Sequence, residues 1–460
     1  MMQLKSHVTD IDWLPITNPA GATQLALLYQ FKQSEWLTEM QLKSLQFQQL
    51  YHLLTHARKS VPYYQKGLQS LPTELHPLAL ENLWQEIPVL TRSQLLENTE
   101  QLVSQSVPEE HGKTSWIHTS GSSGIPVKVL TDELLTLYWK AILLRDHHWH
   151  NRDLRCKLAI IRYFEDSEFA QLPHGQSLPD WGAITQLMYK NGPACALSIH
   201  SPIKEQANWL MKENPDYLLT YPTNLHALVC YFQAEGIQLP GLKQIQTISE
   251  ILDDETRSLC QKVFSVPVIN AYSTRETGYI ALQCPEHEHY HIQSEVVLVE
   301  VLNEQGISCA PGEIGRVVIT PLHNFAMPLI RYEIGDYAEV GDTCPCGRGL
   351  PVIRRILGRT RNMLTLPTGG KICPRLDILK YTEITGVNIR QAQLMQQAID
   401  KIEMRLVSDE TLTLDQEQKL RQFIQKTLGH PYHMTLTYHQ QLPRNQAGKF
   451  EEFISAIESD

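Results

Sequence analysis

The stretch Val266-Pro-Val-Ile-Asn-Ala-Tyr-Ser-Thr-Arg-Glu-Thr-Gly278 begins as an apolar run and ends in a polar turn. Its β-branched and aromatic residues, with no helical spacing, predict a buried strand over 266–272. Glu276 then stands at the exit of that strand, where a carboxylate can ligate a hard cation such as magnesium. Tyr272 precedes it and offers a ring on which a base can stack. Taken alone, the same turn also reads as an ordinary strand end with a solvated glutamate.

Working outward, short apolar runs at 157–161, 217–221 and 246–249 read as further strands. Helical spacing fills 203–213, 223–235 (closed by Gly236) and 254–264. This alternation predicts an α/β sheet, with ligands gathered at the carboxyl ends of its strands. Upstream, 36–58 reads as an amphipathic helix burying Leu37, Met40, Leu45, Leu50, Leu53 and Leu54, with Pro62 beyond its end. Thr131-Asp132-Glu133 starts another helix through Tyr138, Trp139 and Ile142. Downstream, strands at 291–302, 315–320 and 337–340 predict a small β-rich barrel or sheet. Beyond Gly358 come a helix near 376–384, strands at 391–396 and 401–407, a helix at 414–428 ended by Gly429, and a strand at 433–438. The expected fold class is therefore α/β. A large domain over 1–358 contains the β-rich subdomain, and a small α+β domain covers 359–460.

A second polar stretch is His118-Thr-Ser-Gly-Ser-Ser-Gly-Ile-Pro-Val-Lys128. Thr119, Ser120, Ser122 and Ser123 surround Gly121 and Gly124. Glycines let backbone approach a ligand, and successive N–H groups with hydroxyls make an anion cradle suited to phosphate. The Gly-Lys-Ser/Thr ending of a Walker loop is missing. Asp336, after Gly335, is placed to accept both hydroxyls of a ribose. Gly358-Arg359 marks the domain boundary, and Gly448-Lys449 lies on a loop near the C-terminus.

Composition bounds the function classes. The chain has 460 residues, 42% hydrophobic and 20% charged, with a formal net charge of −10. The negative charge argues against a general nucleic-acid surface. No apolar run is long enough to span a bilayer, and the N-terminus shows no signal core. Nine scattered cysteines argue against a disulfide framework and for a reducing cytoplasm.

In this order, the Ser/Gly loop, Tyr-x-x-x-Glu, Gly-Asp, Gly-Arg and terminal Gly-Lys resemble the adenylate-forming (acyl-CoA synthetase) superfamily. Ser60-Val-Pro-Tyr-Tyr64, Ile87-Pro-Val-Leu-Thr-Arg92 and Ala326-Met-Pro-Leu-Ile-Arg-Tyr332 resemble its phenylacetate–CoA ligase and coenzyme F390 synthetase (CapK-like) branch. The resemblance runs from about residue 50 to 450. It implies ATP-dependent conversion of a carboxylic acid to acyl-AMP, then acyl transfer to coenzyme A. The alternatives are a carrier-protein phosphopantetheine in trans or an amine as acceptor, or a non-catalytic nucleotide-binding relative.

By that resemblance Thr119, Ser120, Gly121, Ser122, Ser123 and Gly124 hold the ATP phosphates. Glu276 binds magnesium, Tyr272 stacks on adenine beside Ser273, Asp336 takes the ribose and Arg359 assists. Lys449, on a mobile C-terminal domain, stabilises the charge that develops as the carboxylate attacks. Two positions depart from the family pattern. Ser273 replaces the usual glycine, and Asn362 replaces the usual aspartate at the hinge. Arg162-Tyr163-Phe164 and Tyr221-Pro222 lie where an acyl pocket opens, and aromatic walls suit an aryl acid. A homodimer is compatible with this family.

One further constellation joins Cys284-Pro-Glu-His-Glu-His-Tyr-His291 to Cys344-Pro-Cys346-Gly. A Cys-x-Cys-Gly knuckle with Cys284 and one histidine makes four ligands for a structural zinc. Relatives in the branch match His291 as that histidine, and His287 or His289 can take its place. The bland alternative is a His-rich surface loop beside reduced cysteines.

Overall fold

A computed structural model describes residues 2–69, 71–72, 76–118, 127–166, 168–359, 363–367, 371–372, 374, 378–443 and 450–457. The chain divides into two compact units, Met1–Ile356 and Leu357–Asp460.

The large unit holds β1 (Thr114–His118), β2 (Lys128–Asp132), β3 (Leu158–Arg162), β4 (Gln176–Leu178), β5 (Ala194–Ser198), β6 (Tyr217–Thr220) and β7 (Gln244–Thr247). It continues with β8 (Val268–Thr274), β9 (Gly278–Gln283), β10 (Tyr290–Ile292), β11 (Val297–Leu302), β12 (Ile314–Pro321) and β13 (Tyr332–Val340). The unit boundary falls within β14 (Val352–Arg359). One twelve-stranded sheet runs β11-β12-β13-β14-β10-β9-β8-β7-β6-β3-β5-β4. Strands β5, β3, β6, β7 and β8 are mutually parallel. The other half is antiparallel where its pairings are described.

Strand β8 belongs to both halves. Val268–Asn270 pair in parallel with β7, and Ala271–Thr274 pair antiparallel with β9. The β-rich region is thus an extension of the main sheet. The expected strand 291–302 is two strands: β10 lies between β9 and β14, while β11 is at the far edge. Between them the Gln293 N–H donates to the Ile280 carbonyl, and Arg145 Nη1 donates to Gln293 Oε1 at 2.8 Å.

Helices Ile203–Glu213, Pro222–Glu235 and Asp254–Phe264 pack side by side over the parallel strands. Leu210, Leu225, Leu228, Val229 and Leu259 join one core with Ile161, Leu218 and Ile245. Gly236, at φ +66°, closes the second helix without the strain a Cβ would bring. Helix Glu39–Ser60 begins one turn later than the spacing suggests. Thr38 and Gln41 form a capping box there, each side chain answering the other's backbone N–H. Its buried face is Leu42, Phe47, Leu50, Leu53, Leu54 and Ala57, while Met40 and Leu45 point to solvent. Those two were expected in the core. They lie off the stripe that 3.6-residue spacing draws through Leu50 and Leu54.

In the small unit β15 (Leu364–Thr365) pairs with β16 (Lys371–Ile372). A four-stranded sheet runs β19-β18-β17-β20, with β17 (Ile389–Ala398), β18 (Lys401–Ser408), β19 (His433–Tyr438) and β20 (Phe453–Ser455). Helices Ile378–Thr385 and Leu414–Leu428 pack together, and Leu394, Ile402, Met404, Leu406, Leu420 and Ile424 build a core of their own.

Candidate active site

The turn between β8 and β9 organises the site. The Tyr272 hydroxyl donates to Asp336 Oδ2 at 2.7 Å, and both side chains are buried. Asp336 sits on β13 directly after Gly335, whose φ of +82° suits a residue without Cβ. Glu276 is buried in the turn itself, which is closed by a 2.9 Å hydrogen bond between the Thr274 and Thr277 hydroxyls. Gly278, at φ +81°, lies beneath the Trp139 ring, and a Cβ there would come within 3.0 Å of it. Ser273 marks a register shift between β8 and β9 and has no positive φ, so serine is accommodated where the family places glycine.

Arg275 was not assigned a role from the sequence. Its Nη1 donates to the His118 carbonyl at 2.9 Å, tying the Glu276 turn to the exit of β1. β1 pairs with β2 as a hairpin that the sequence reading did not anticipate. The segment between these strands contains Thr119, Ser120, Gly121, Ser122, Ser123 and Gly124, which lie outside the described residues, as do Asn362 and Lys449. The Arg359 backbone closes β14, and its side chain is likewise outside the description.

The three branch-like motifs assemble into a support for β13. The Tyr64 hydroxyl donates to the Pro328 carbonyl at 3.1 Å and accepts from the Ile330 N–H at 3.0 Å. The Leu90 N–H donates to the Arg331 carbonyl, and the Glu333 N–H to the Leu90 carbonyl. Arg331 is buried at φ +50°, pairs with Glu300 at 3.0 Å and donates to the Ile87 carbonyl. These residues touch one another; they fix the strand that presents Asp336.

At the carboxyl ends of β3 and β6 the Tyr221 hydroxyl accepts from the Tyr163 N–H at 3.3 Å. Phe164 and Phe169 pack at 4.9 Å, and the Arg162 guanidinium lies 5.1 Å from the Phe164 ring. Burial raises the Tyr221 phenol above its ordinary range.

A second cluster gathers around β10 and the 344–346 knuckle. Donor atoms of Cys284, His289, His291 and Cys344 all lie within 4.8 Å of one another. Cys284 and Cys344 Sγ are 3.8 Å apart, and Cys346 Sγ is 3.4 Å from His291 Nε2. The Cys346 N–H reaches Cys344 Sγ at 3.4 Å, the contact expected of a thiolate knuckle. His291 Nδ1 is 3.2 Å from the Leu350 carbonyl, which leaves Nε2 facing the sulfurs. His289 Nε2 is buried without a hydrogen-bond partner. Burial pushes the Cys344 thiol up to about 12 and the His291 imidazole down to about 4. Five donors therefore converge: the four expected residues and His289, which the sequence offered only as a substitute for His291. The donor set of thiols and imidazoles fits zinc.

Residues 367–456 match the family model described as the CapK C-terminal domain. The protein CapK of Staphylococcus aureus is 21% identical over 384 residues, 80% of this chain and 78% of that one. The phenylacetate–coenzyme A ligase of Thermus thermophilus is 24% identical over 268 residues, 52% of this chain and 60% of its own length. Among solved structures, 2-hydroxyisobutyryl-CoA ligase in its postadenylation state superposes with a TM-score of 0.69 at 17% identity, covering 92% of this chain and 91% of that one. Similarity over most of the length, the shared fold and the motifs gathered around Tyr272, Glu276 and Asp336 agree. These relatives support the adenylate-forming superfamily, in its phenylacetate–CoA ligase-like branch, as what this chain is similar to.

Proposed function

We propose that this protein is an AMP-forming acid–thiol ligase that uses ATP to activate a carboxylic acid and passes the acyl group to coenzyme A. The observation that carries this reading is the single turn that links Asp336, through the Tyr272 hydroxyl, to Glu276 and, through Arg275, to the strand leading into the Ser/Gly segment. Those groups match the demands of a reaction between two anions. Backbone donors and hydroxyls of Thr119–Gly124 take phosphate oxygens, Asp336 takes the ribose hydroxyls and the Tyr272 ring packs on the base. Glu276 would hold magnesium, which offsets phosphate charge. A carboxylate oxygen attacks the α-phosphorus, the bond to pyrophosphate breaks, and Lys449 stabilises the developing charge. In the second step the thiol sulfur attacks the acyl carbon, AMP leaves, and the thiol proton passes to solvent. Arg359 assists at the nucleotide. Positioning dominates, since the protein forms no covalent bond itself.

The acid is an aryl acid in this reading, supported by Tyr163, Phe164, Phe169 and Tyr221 at the strand ends. A structural zinc on Cys284, His291 and Cys344, completed by His289 or Cys346, would tie β10 to the 344–346 knuckle. The thiol-rich cluster fits a cytoplasmic setting.

The test is ATP–pyrophosphate exchange with aryl, fatty and amino acids, followed by addition of coenzyme A or a carrier protein. Exchange with an aryl acid and thioester release with coenzyme A is the expected result. Glu276→Gln should shift the magnesium dependence to higher concentration, because shape is kept while the charge is lost. A variant that titrates like the parent would leave Glu276 as a turn residue.

A further inference from the structure

A cleft of about 550 Å³ opens in the large unit, lined by none of the residues placed at the Glu276 turn or at the strand ends. Its walls are the end of helix Pro19–Ser34 with Glu35 and Trp36, the end of helix Glu133–Trp149, and Arg348, two residues past the 344–346 knuckle. Arg348 is 9% exposed, and its guanidinium lies 4.8 Å from the Trp36 ring and 4.9 Å from the Trp149 ring. Its Nε and Nη1 are nevertheless buried without a hydrogen bond. Glu35 Oε1 stands 3.4 Å from Nε and Glu286 Oε1 3.7 Å from Nη1, at ion-pair distances but without hydrogen-bond alignment. A buried N–H with no acceptor is costly, so these donors suit an acceptor that the chain itself does not supply.

Charge points the same way. Glu35 is already engaged: its Oε2 accepts from Trp149 Nε1 at 3.0 Å and lies 3.7 Å from Arg145 Nε. Arg145 pairs with Glu295 at 2.7 Å. Lys32 lines the same cleft and pairs with no carboxylate among the described residues. Three cations (Lys32, Arg145 and Arg348) thus meet two enclosed carboxylates (Glu35 and Glu295). The remaining carboxylate, Glu286, has a side chain 59% exposed and is free to turn to solvent.

We propose that this cleft is a second ligand site, which takes a small aromatic carboxylate. The ligand's charge is held by Arg348 and Lys32 in place of Glu286, and its ring lies on the indole of Trp36, which is 53% exposed. A guanidinium N–H and an ammonium group make charge-assisted bonds to a carboxylate, and the volume suits a molecule of that size. None of the lining residues belongs to the adenylation site, so the cleft stands apart from that reading. The Gly349 N–H already donates to the Glu35 carbonyl at 2.9 Å, which fastens the knuckle to the end of the first helix. A ligand seated on Trp36 and Arg348 bridges the same two segments, so its binding adds to the stability of the large unit.

The test is a fluorine NMR titration of the full chain with para-fluorobenzoate. Any binding at the strand ends is common to parent and variants and drops out of the comparison. Arg348→Gln should weaken the probe by about tenfold, the scale of a hydrogen bond to a charged group. Arg348 packs beside the knuckle, so three exposed positions form the deciding set. Lys32→Gln should weaken binding by about threefold, as expected of an exposed charge, and Glu286→Gln should tighten it by about threefold because a competing carboxylate is neutralised. Trp36→Ala should weaken it by about fivefold through loss of the ring contact. Inorganic phosphate, which has charge without a ring, should bind at least about fivefold more weakly than the probe. Unchanged affinity in all three exposed variants, weaker binding in Glu286→Gln, or phosphate as tight as the probe would overturn the site. So would a parent that binds no probe up to about 10 mM.

Discussion

The Tyr272 hydroxyl, on the strand shared by the parallel and antiparallel halves of the sheet, and the Asp336 carboxylate on β13, 64 positions on in sequence, share a 2.7 Å hydrogen bond. The bond holds the carboxylate in one orientation before any ligand arrives. Removing the donor while keeping the ring separates the two uses of the tyrosine. Tyr272→Phe should raise the KM for ATP by about fivefold while kcat stays within about twofold, consistent with one hydrogen bond's worth of orientation. Initial-rate exchange kinetics over a range of ATP concentrations measure it, and an unchanged KM would show that this bond does not set the orientation of Asp336 for ATP.

Lys449→Ala should fold normally and lose adenylate formation by at least about a hundredfold, the scale of losing one group that stabilises developing charge. Its conversion of supplied acyl-adenylate to thioester should suffer less. Equal exchange rates in parent and variant would remove the lysine from the mechanism.

Protein purified without a His-tag should contain one zinc per chain. Cys344→Ser should release it and lower the melting temperature, because the metal links segments 60 residues apart. Comparing His289→Ala with Cys346→Ser identifies the fourth ligand, since only the true ligand lowers occupancy. Zinc below about 0.2 equivalents, with Cys344→Ser as stable as the parent, would show that the cluster binds none.

Burial lowers His148 and His323 from 6.5 to about 4. Both are neutral in the native chain between those values and protonated in the unfolded one. The unfolded state therefore binds more protons as pH falls through 6.5, and stability drops until about pH 4. Urea midpoints at pH 7 and pH 5 should show the parent losing stability at the lower pH, with a smaller loss in His148→Gln. A flat response across that window would place these histidines in solvent contact.

Much of this architecture is legible in the residues. Strand–helix alternation from 157 to 272 gives the parallel sheet because each apolar run is short and each helix has its stop residue. Tyr272, Glu276 and Asp336 stand out because polar groups at strand ends have few structural uses. Other features depend on distant partners. The β1–β2 hairpin is exposed along β1 and lacks an apolar signature. Gln293, between β10 and β11, is bonded by Arg145, 148 positions away. Arg331 reads as a polar residue in a motif, yet it is a buried fastener whose five donors are taken up by Glu300, Gln85 and nearby carbonyls. His289 was one of three histidines at alternate positions, and only the fold shows which rings face the sulfurs.

Strand β8 has a consequence for how the large unit can be divided. Its first three paired residues complete the parallel layer and the next four complete the antiparallel one, so a cut on either side strips a neighbour of its edge partner. Fragments split at this strand should aggregate through the bared edge, whereas truncation near Ile356 leaves the strand's pairings intact. In calorimetry, residues 1–356 should therefore melt as a single cooperative block, with no separate transition for the antiparallel portion.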